Sequence, residues 1–493
     1  MTPPHKAIRL IRFAWTVGLV LLIGAIPEMA CAQQDTDLIA LQNVTLIDLR
    51  SGELRGGQMV VWERSRIVAV GPAATMRTSP QTRVIQGNGR FLLPGLWDMH
   101  VHLLLNRSAD GPQEGMLSSF IAHGVTAVRD MSDTDFSRSA VPLKKRWDWE
   151  ARAGLRVGPR VVAAGSIAID GAQDNDDSKP TFLTAATPAD ARKLVRALVD
   201  EGAADFIKIY SRIPRDSYFA LMDEASRAGI IAAGHKPLAV SFVEAADAGQ
   251  KSMEHAREML LDSFPGAAEL QRNPKERNLP VSRLREILDS HDPQMLRDIF
   301  AAMIRNDAYY VPTHLTRLFD WKAAERDQAY LNDPRLRLLP AATRARVRAD
   351  VERTQARVSR PGDAGIYRAF FEKGLEVTRL AHQAGVKIMA GTDAGDSYCF
   401  HGSSLHDELA WMVKAGMSPL AVLRAATVVP AEYIGRAKDF GAIEPGKLAD
   451  MVLLDRNPLV DINNTRSINT VVFNGRLLDR AALDAISAEQ EAQ

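Results

Sequence analysis

FLLPGLWDMHVHL, residues 91–103, decides how the rest of the chain is read. An apolar run ends there in two histidines one residue apart, His100 and His102. On a strand, alternate side chains share a face. Asp98, His100 and His102 therefore point the same way, and both imidazoles can reach one ion. Neutral imidazole suits zinc and similar borderline metals. Such a pair is more often just a polar strand ending, so its meaning depends on the other strand ends.

The stretch opens a series of eight short apolar runs: GLWDMHVH (95–102), VTAVRD (125–130), RVVAAGS (160–166), DFIKIY (205–210), GIIAAGH (229–235), QKSMEH (250–255), AYYVPTH (308–314) and VKIMAGTD (386–393). Amphipathic segments such as PADARKLVRALVDEGA (188–203) and SFVEAADAG (241–249) lie between them. Eight strand–helix units in about 330 residues predict an α/β fold, a (β/α)8 TIM barrel over 91–430. Two helical, charged, Arg-rich inserts at 257–300 and 318–370 follow strands six and seven. That is the strand C-terminal side, where an insert can form a lid. Within the second, RARVRADVERTQARVSR (344–360) reads as a solvated helix face. β-rich segments with turn residues fill 33–90 and return at 431–480, which predicts a small β-sandwich built from both chain ends, with a tail at 481–493.

The N-terminus stands apart. Lys6, Arg9 and Arg12 precede the apolar FAWTVGLVLLIGAI, and Ala30-Cys31-Ala32 follows. This is the pattern of a secretory signal peptide at 1–32, cleaved after Ala32, and it predicts a periplasmic or secreted protein with no stable membrane span once cleaved. Cys399 is then the one remaining cysteine, read as a passive, partly buried thiol. A formal net charge of +1 provides no field for nucleic acid or anionic membrane. The sequence leaves a homo-oligomer open.

Catalytic groups in this barrel type gather at the C-terminal ends of strands. Here strand one ends in His100 and His102, strand five in His235, strand six in His255, and strand eight in Asp393. Strand four carries Lys208, with Phe206 and Tyr210 on its face. A buried ammonium is expensive without a partner. Lys208 is therefore either paired with a buried carboxylate or pushed toward a neutral amine, which can capture CO2 as a carbamate. Four histidines, a lysine and an aspartate converge on one mouth, which predicts a metal site.

The chain resembles the amidohydrolase superfamily, in the branch near imidazolonepropionase and the exported Xaa-Pro-type dipeptidases. The resemblance is carried by PGLWDMHVHL, GVTAVRD (124–130), FIKIY, AGHKPLAVSFVEAADAGQKSMEHA (233–256), MAGTDAG (389–395), LHDELAWMVKAGMSPLAVLRAAT (405–427) and FGAIEPGKLADMVLLDRNPL (440–459), in the family's order over nearly all of 40–478. It implies the barrel, the two-ended sandwich and a hydrolytic centre with two divalent metal ions, zinc being the expected ion. His100, His102 and Asp393 would hold the first ion, His235 and His255 the second, and carboxylated Lys208 (N6-carboxylysine) would bridge them. Imidazolonepropionase looks like a one-metal relative without that lysine. One departure is AAGHKP, where many relatives have a second histidine.

The reaction expected from these residues is hydrolysis of a small amide, such as a dipeptide or N-acyl amino acid, by a metal-bridging hydroxide. Asp393 would move the proton to the leaving nitrogen. Tyr210 and His314 are the candidate substrate-binding residues, while His123 and His406 read as structural. Cyclic amides, lactones or amide-linked toxins are alternative substrates. A non-catalytic binding protein on the same barrel is the alternative of another class.

Overall fold

The computed structural model describes residues 38–103, 116–131, 140–172, 182–272 and 279–492. The leader expected at 1–32 lies outside the described residues. Among the described residues, no helix is long and apolar enough to cross a membrane.

All eight apolar runs form strands: Leu96–Val101, Val125–Asp130, Arg160–Ala164, Ile207–Ile209, Ala232–Gly234, Ser252–Glu254, Tyr309–Val311 and Lys387–Ile388. Neighbours in this order pair in parallel, apart from one gap. The first two strands are buried along their whole length. That is the signature of a parallel sheet covered on both faces, and it explains the near-continuous apolar runs. Regular pairing does not run all the way round. The first three strands form one sheet, and the other five form a second with Ile169–Asp170 and Leu183–Thr184. Single parallel bridges join the two, Gly165 to Phe206 and Val101 to Ala394.

Local chemistry sets the helices between the strands. Thr187 caps Pro188–Asp200 through a reciprocal pair with Asp190, with proline in the first turn. Ser241 and Glu244 do the same for Phe242–Asp247. Each device satisfies donors that an uncapped helix end leaves open. The described parts of both inserts are mostly helix.

At the place where the sandwich was expected, the two chain ends meet in one hydrogen-bonded sheet of eight strands. Phe91–Pro94 is the join: it pairs parallel with Leu38–Ile47 and antiparallel with Met451–Leu454. One hydrogen-bonded order therefore runs from the N-terminal strands into the C-terminal ones. Its apolar face buries Leu41, Val44, Trp62, Leu92, Met451 and Val472. The expected tail is a helix, Arg480–Ala492, anchored by the fully buried Leu483.

Glycine is required where strand eight meets strand one. A Cβ on Gly391 would lie 2.6 Å from Val311 Cγ1, 2.8 Å from His100 Cβ and 3.0 Å from His100 N. Gly391→Ala is expected to cost about 1–3 kcal/mol through overpacking, read as a lowered midpoint in urea unfolding. An unchanged midpoint would refute the close approach.

Candidate metal centre

Strand one delivers His100 and His102, and the turn after strand eight delivers Asp393. Their nearest ligand atoms all lie within 4.8 Å of one another. Asp393 Oδ1 is 3.4 Å from His100 Nε2 and 3.0 Å from His102 Nε2. Strands five and six bring His235 and His255 alongside, with their Nε2 atoms 3.2 Å apart. His255 Nδ1 lies 2.7 Å from Thr313 Oγ1 and 3.8 Å from Asp393 Oδ2. His235 Nδ1 lies 3.2 Å from Ser211 Oγ. The His100 and His255 rings are 5.0 Å apart between centroids, so the four imidazoles and the carboxylate form one cluster.

The backbone at this cluster is unusual. His255, Thr313 and Asp393 have φ of 71°, 43° and 63°. Such conformations cost of order 1–3 kcal/mol each and persist where the surroundings fix them. Here Asp393 N donates to His100 O at 2.8 Å and His255 N to Val311 O at 2.8 Å. The C-terminal insert adds a strap over the same turn. Arg346, on the helix Ala341–Ala356, donates to Gly395 O at 2.7 Å, and Ser397 Oγ donates to Asp350.

Behind the histidines sits a buried ion pair. Arg129 donates to both Glu254 oxygens at 2.9 and 3.0 Å, to Met99 O, to Ser252 Oγ and to Tyr433 Oη. Glu254 Oε2 is also 2.9 Å from His100 Nδ1. That contact assigns the proton to Nδ1 and leaves Nε2 facing Asp393 with its lone pair. Burial raises the Glu254 pKa, but Arg129 and His100 outweigh it and hold the carboxyl at about 2. Burial pushes His100 down to about 4 against the pull of Asp393, so the imidazole is neutral near pH 7. Burial also depresses His255, with His235 adding to the effect. Asp393 resists its own burial through His100, His102 and His255 and stays well below the usual carboxylate range.

Lys208 is fully buried, and burial brings it down to about 8 while Glu254 and Asp393 pull upward. Its Nζ and His100 Nε2 have no hydrogen-bond partner among the described residues. Orphaned buried polar atoms are costly and rare in native proteins. Two such atoms beside three further imidazoles and an ionised carboxylate are a donor set that fits divalent cations.

The other expected residues fall as follows. Tyr210 packs its ring against His235 at 4.4 Å and against Phe182, beside the cluster. His314 is turned elsewhere: Nδ1 is 2.7 Å from Glu408 and Nε2 is 2.9 Å from Thr378, leaving no ring nitrogen for a substrate. His123 and His406 are structural; His406 bridges Thr465 and the His123 carbonyl. Asp98 shares the strand-one pattern but accepts from Thr392 Oγ1 at 2.6 Å and Thr392 N at 3.1 Å, tying strand one to strand eight. Burial raises it to about 7 despite those bonds. Cys399 is a buried free thiol. Lys236, at the AAGHKP departure, pairs with Asp262 at 2.9 Å. Sequence reasoning missed Arg129, Glu254, Ser211 and Thr313. The signals for the first two were an arginine inside VTAVRD and a glutamate beside His255 in QKSMEH.

Known proteins resemble this chain in sequence and in fold. The profile described as Amidohydrolase family matches residues 91–478. An adenine deaminase from Roseobacter denitrificans is 22% identical over 440 residues, 88% of this chain and 56% of its own length. An imidazolonepropionase from Shouchella clausii is 36% identical over 98 residues, 19% of this chain and 21% of its own. The chain therefore spans about half the length of that deaminase and about a fifth of the imidazolonepropionase. The crystal structure of a Xaa-Pro dipeptidase with methionine in its active site superposes with a TM-score of 0.62 at 22% identity, covering 90% of this chain and 100% of that one. At that identity the likeness is one of fold.

Glu254→Gln tests the ion pair. It leaves Arg129 buried without its carboxylate and is expected to cost about 3–5 kcal/mol at pH 7. Folding lowers the Glu254 pKa from 4.5 to about 2. Its contribution is therefore complete above about pH 4.5 and fades as the pH falls toward 2. The stability gap between wild type and Glu254→Gln should narrow over that window in urea titrations. A gap independent of pH would contradict the assignment.

Proposed function

The chain belongs to the amidohydrolase family, and on that premise we propose that it is a metal-dependent hydrolase cleaving the amide bond of a small substrate, a dipeptide or an N-acyl amino acid. The observation that carries this reading is the cluster of His100, His102 and Asp393 with two buried donors, His100 Nε2 and Lys208 Nζ, left open toward it. We read the two parallel sheets, joined by single bridges, as one (β/α)8 barrel with the cluster at its mouth.

His100, His102 and Asp393 would hold one divalent ion and His235 and His255 a second, with Lys208 as a carbamate between them. Zinc suits the donors. When bound, such ions supply Lewis acidity and lower the pKa of water. The protein's own part is orientation and proton movement. Glu254 fixes the His100 tautomer, while Thr313 and Ser211 orient His255 and His235. Asp393 is ionised and so able to take a proton from the attacking water and return it to the leaving nitrogen. Tyr210, beside His235, would contact the substrate. The N-terminal leader adds the proposal that the enzyme works outside the cytoplasm.

Turnover on a panel of dipeptides, N-acyl amino acids, lactones and adenine, with metal analysis on the same preparation, tests the reading. Amide hydrolysis at about two metals per chain is expected. Ammonia release from adenine alone would favour a deaminase, and metal-free protein without turnover would favour a binding protein. Asp393→Asn should lower kcat by about 10²–10⁴-fold. Wild-type kcat in that variant would remove Asp393 from the proton role. Labelled ¹³CO2 should give a carbamate resonance lost in Lys208→Arg.

A further inference from the structure

A small open cleft lies between the two inserts, and one of its lining residues, Arg257, is two positions beyond His255. Leu261, Leu284 and Phe370 make its apolar wall, and Arg257, Arg317 and Arg357 bring positive charge. Neither the expected chemistry nor the metal ligands account for these arginines.

Arg257 lies two residues beyond His255. Its Nε donates to Glu258 Oε1 at 3.1 Å, and the same oxygen is 3.6 Å from His235 Nδ1. One carboxylate oxygen therefore separates the guanidinium from a candidate metal ligand. Arg317 stands on the helix His314–Ala324 and pairs with Asp320. The side chains of Arg257 and Arg317 are only 15% and 26% exposed. Hydrogen bonds among the described residues engage Arg257 through Nε, and Arg317 through Nε and one Nη. Burial depresses Arg317 below the usual guanidinium value, with Asp320 opposing and Arg257 adding to the fall. Glu258 and Asp320 pair with Arg257 and Arg317, and Asp396 lies within electrostatic reach of Arg317. Both Nη atoms of Arg257 and one of Arg317 are left without a hydrogen bond among the described residues, and a guanidinium nitrogen of this kind is a donor for a carboxylate.

We propose that this cleft is a carboxylate subsite: Arg257 and Arg317 hold the free carboxylate of the substrate, and Leu261, Leu284 and Phe370 hold the apolar group beside it. It would take amides that carry a free carboxylate and an apolar side chain, and reject their esters and carboxamides. The proposal rests on the hydrolase reading for its substrate but can be tested without turnover.

The probe is 3-phenylpropionate against 3-phenylpropanamide, which share a shape and differ in charge, titrated calorimetrically into the metal-loaded protein. The carboxylate should bind at least about tenfold more tightly, and Arg257→Met or Arg317→Met should abolish the difference. Arg257→Lys, which keeps charge and loses the fork, should retain part of it and guards against misfolding, checked by urea unfolding. On any amide that is turned over, Arg317→Met should raise KM for the free acid and narrow the gap in KM between the acid and its methyl ester. Equal binding of acid and amide, or retention of the preference in both Met variants, would overturn the subsite. Arginine-dependent binding without amide turnover would overturn the hydrolase reading and leave the subsite standing. Turnover without a carboxylate preference would do the reverse.

Discussion

The contact between Arg129, Glu254 and His100 is the constraint on which the site depends. All three side chains are buried, and they come from strands two, six and one. Removing two charges from water is expensive, and a buried ion pair is weak evidence of net stability. Its value here is positional. Arg129 reaches Met99 O at 2.6 Å and Ser252 Oγ at 2.8 Å as well as Glu254, so one guanidinium ties the three strands together. Glu254 passes that rigidity to His100 Nδ1. The ring can then neither flip nor change tautomer without leaving a buried charge short of a partner.

Asp393 is held from the opposite side and by different means. Its backbone lies in the left-handed region, where a side chain is strained. Thr392 is fastened to Asp98 before it, and Gly395 to Arg346 after it. Strand one thus grips both edges of the centre, through His100 toward strand six and through Asp98 toward strand eight. The insert helix makes the last attachment, so its arginines serve the site as well as the solvent. A charged face that reads as solvated in sequence acts as a strap because its partner, the 395–397 turn, lies about fifty residues further along the chain.

That separation is the general reason why some features were legible in the sequence and others were not. The eight strands follow from apolar runs, and the position of His235 or His255 follows from where each run stops. Both are local signals. The partner of a side chain is a long-range fact. Glu408, 94 residues beyond His314, occupies its Nδ1, and nothing near AYYVPTH announces it. The end sheet is a similar case. Each strand was visible, but that the two ends join in one hydrogen-bonded order depends on the register of Phe91–Pro94 with Met451–Leu454. Arg129 and Glu254 were visible as misfits, charged residues in strands too apolar to face water. Their pairing needed the fold.

Charge balance links Lys208 to the proposed chemistry. Glu254 is already neutralised by Arg129, so Asp393 is the carboxylate between the histidines that an ammonium at Lys208 would act on most directly. As an ammonium, Lys208 would cancel it and leave no net attraction for a cation. As a neutral amine it costs nothing electrostatically, and as a carbamate it adds a negative charge at the point where His100 Nε2 is open. The ammonium and carbamate forms differ by two charges, which weighs directly on how well the pocket attracts a divalent ion. Burial that brings the amine down to about 8 shifts it toward the neutral form from which a carbamate would be made. The ion pair behind the centre therefore has two effects: it orients His100, and by consuming Glu254 it leaves the charge state of Lys208 to bear on Asp393.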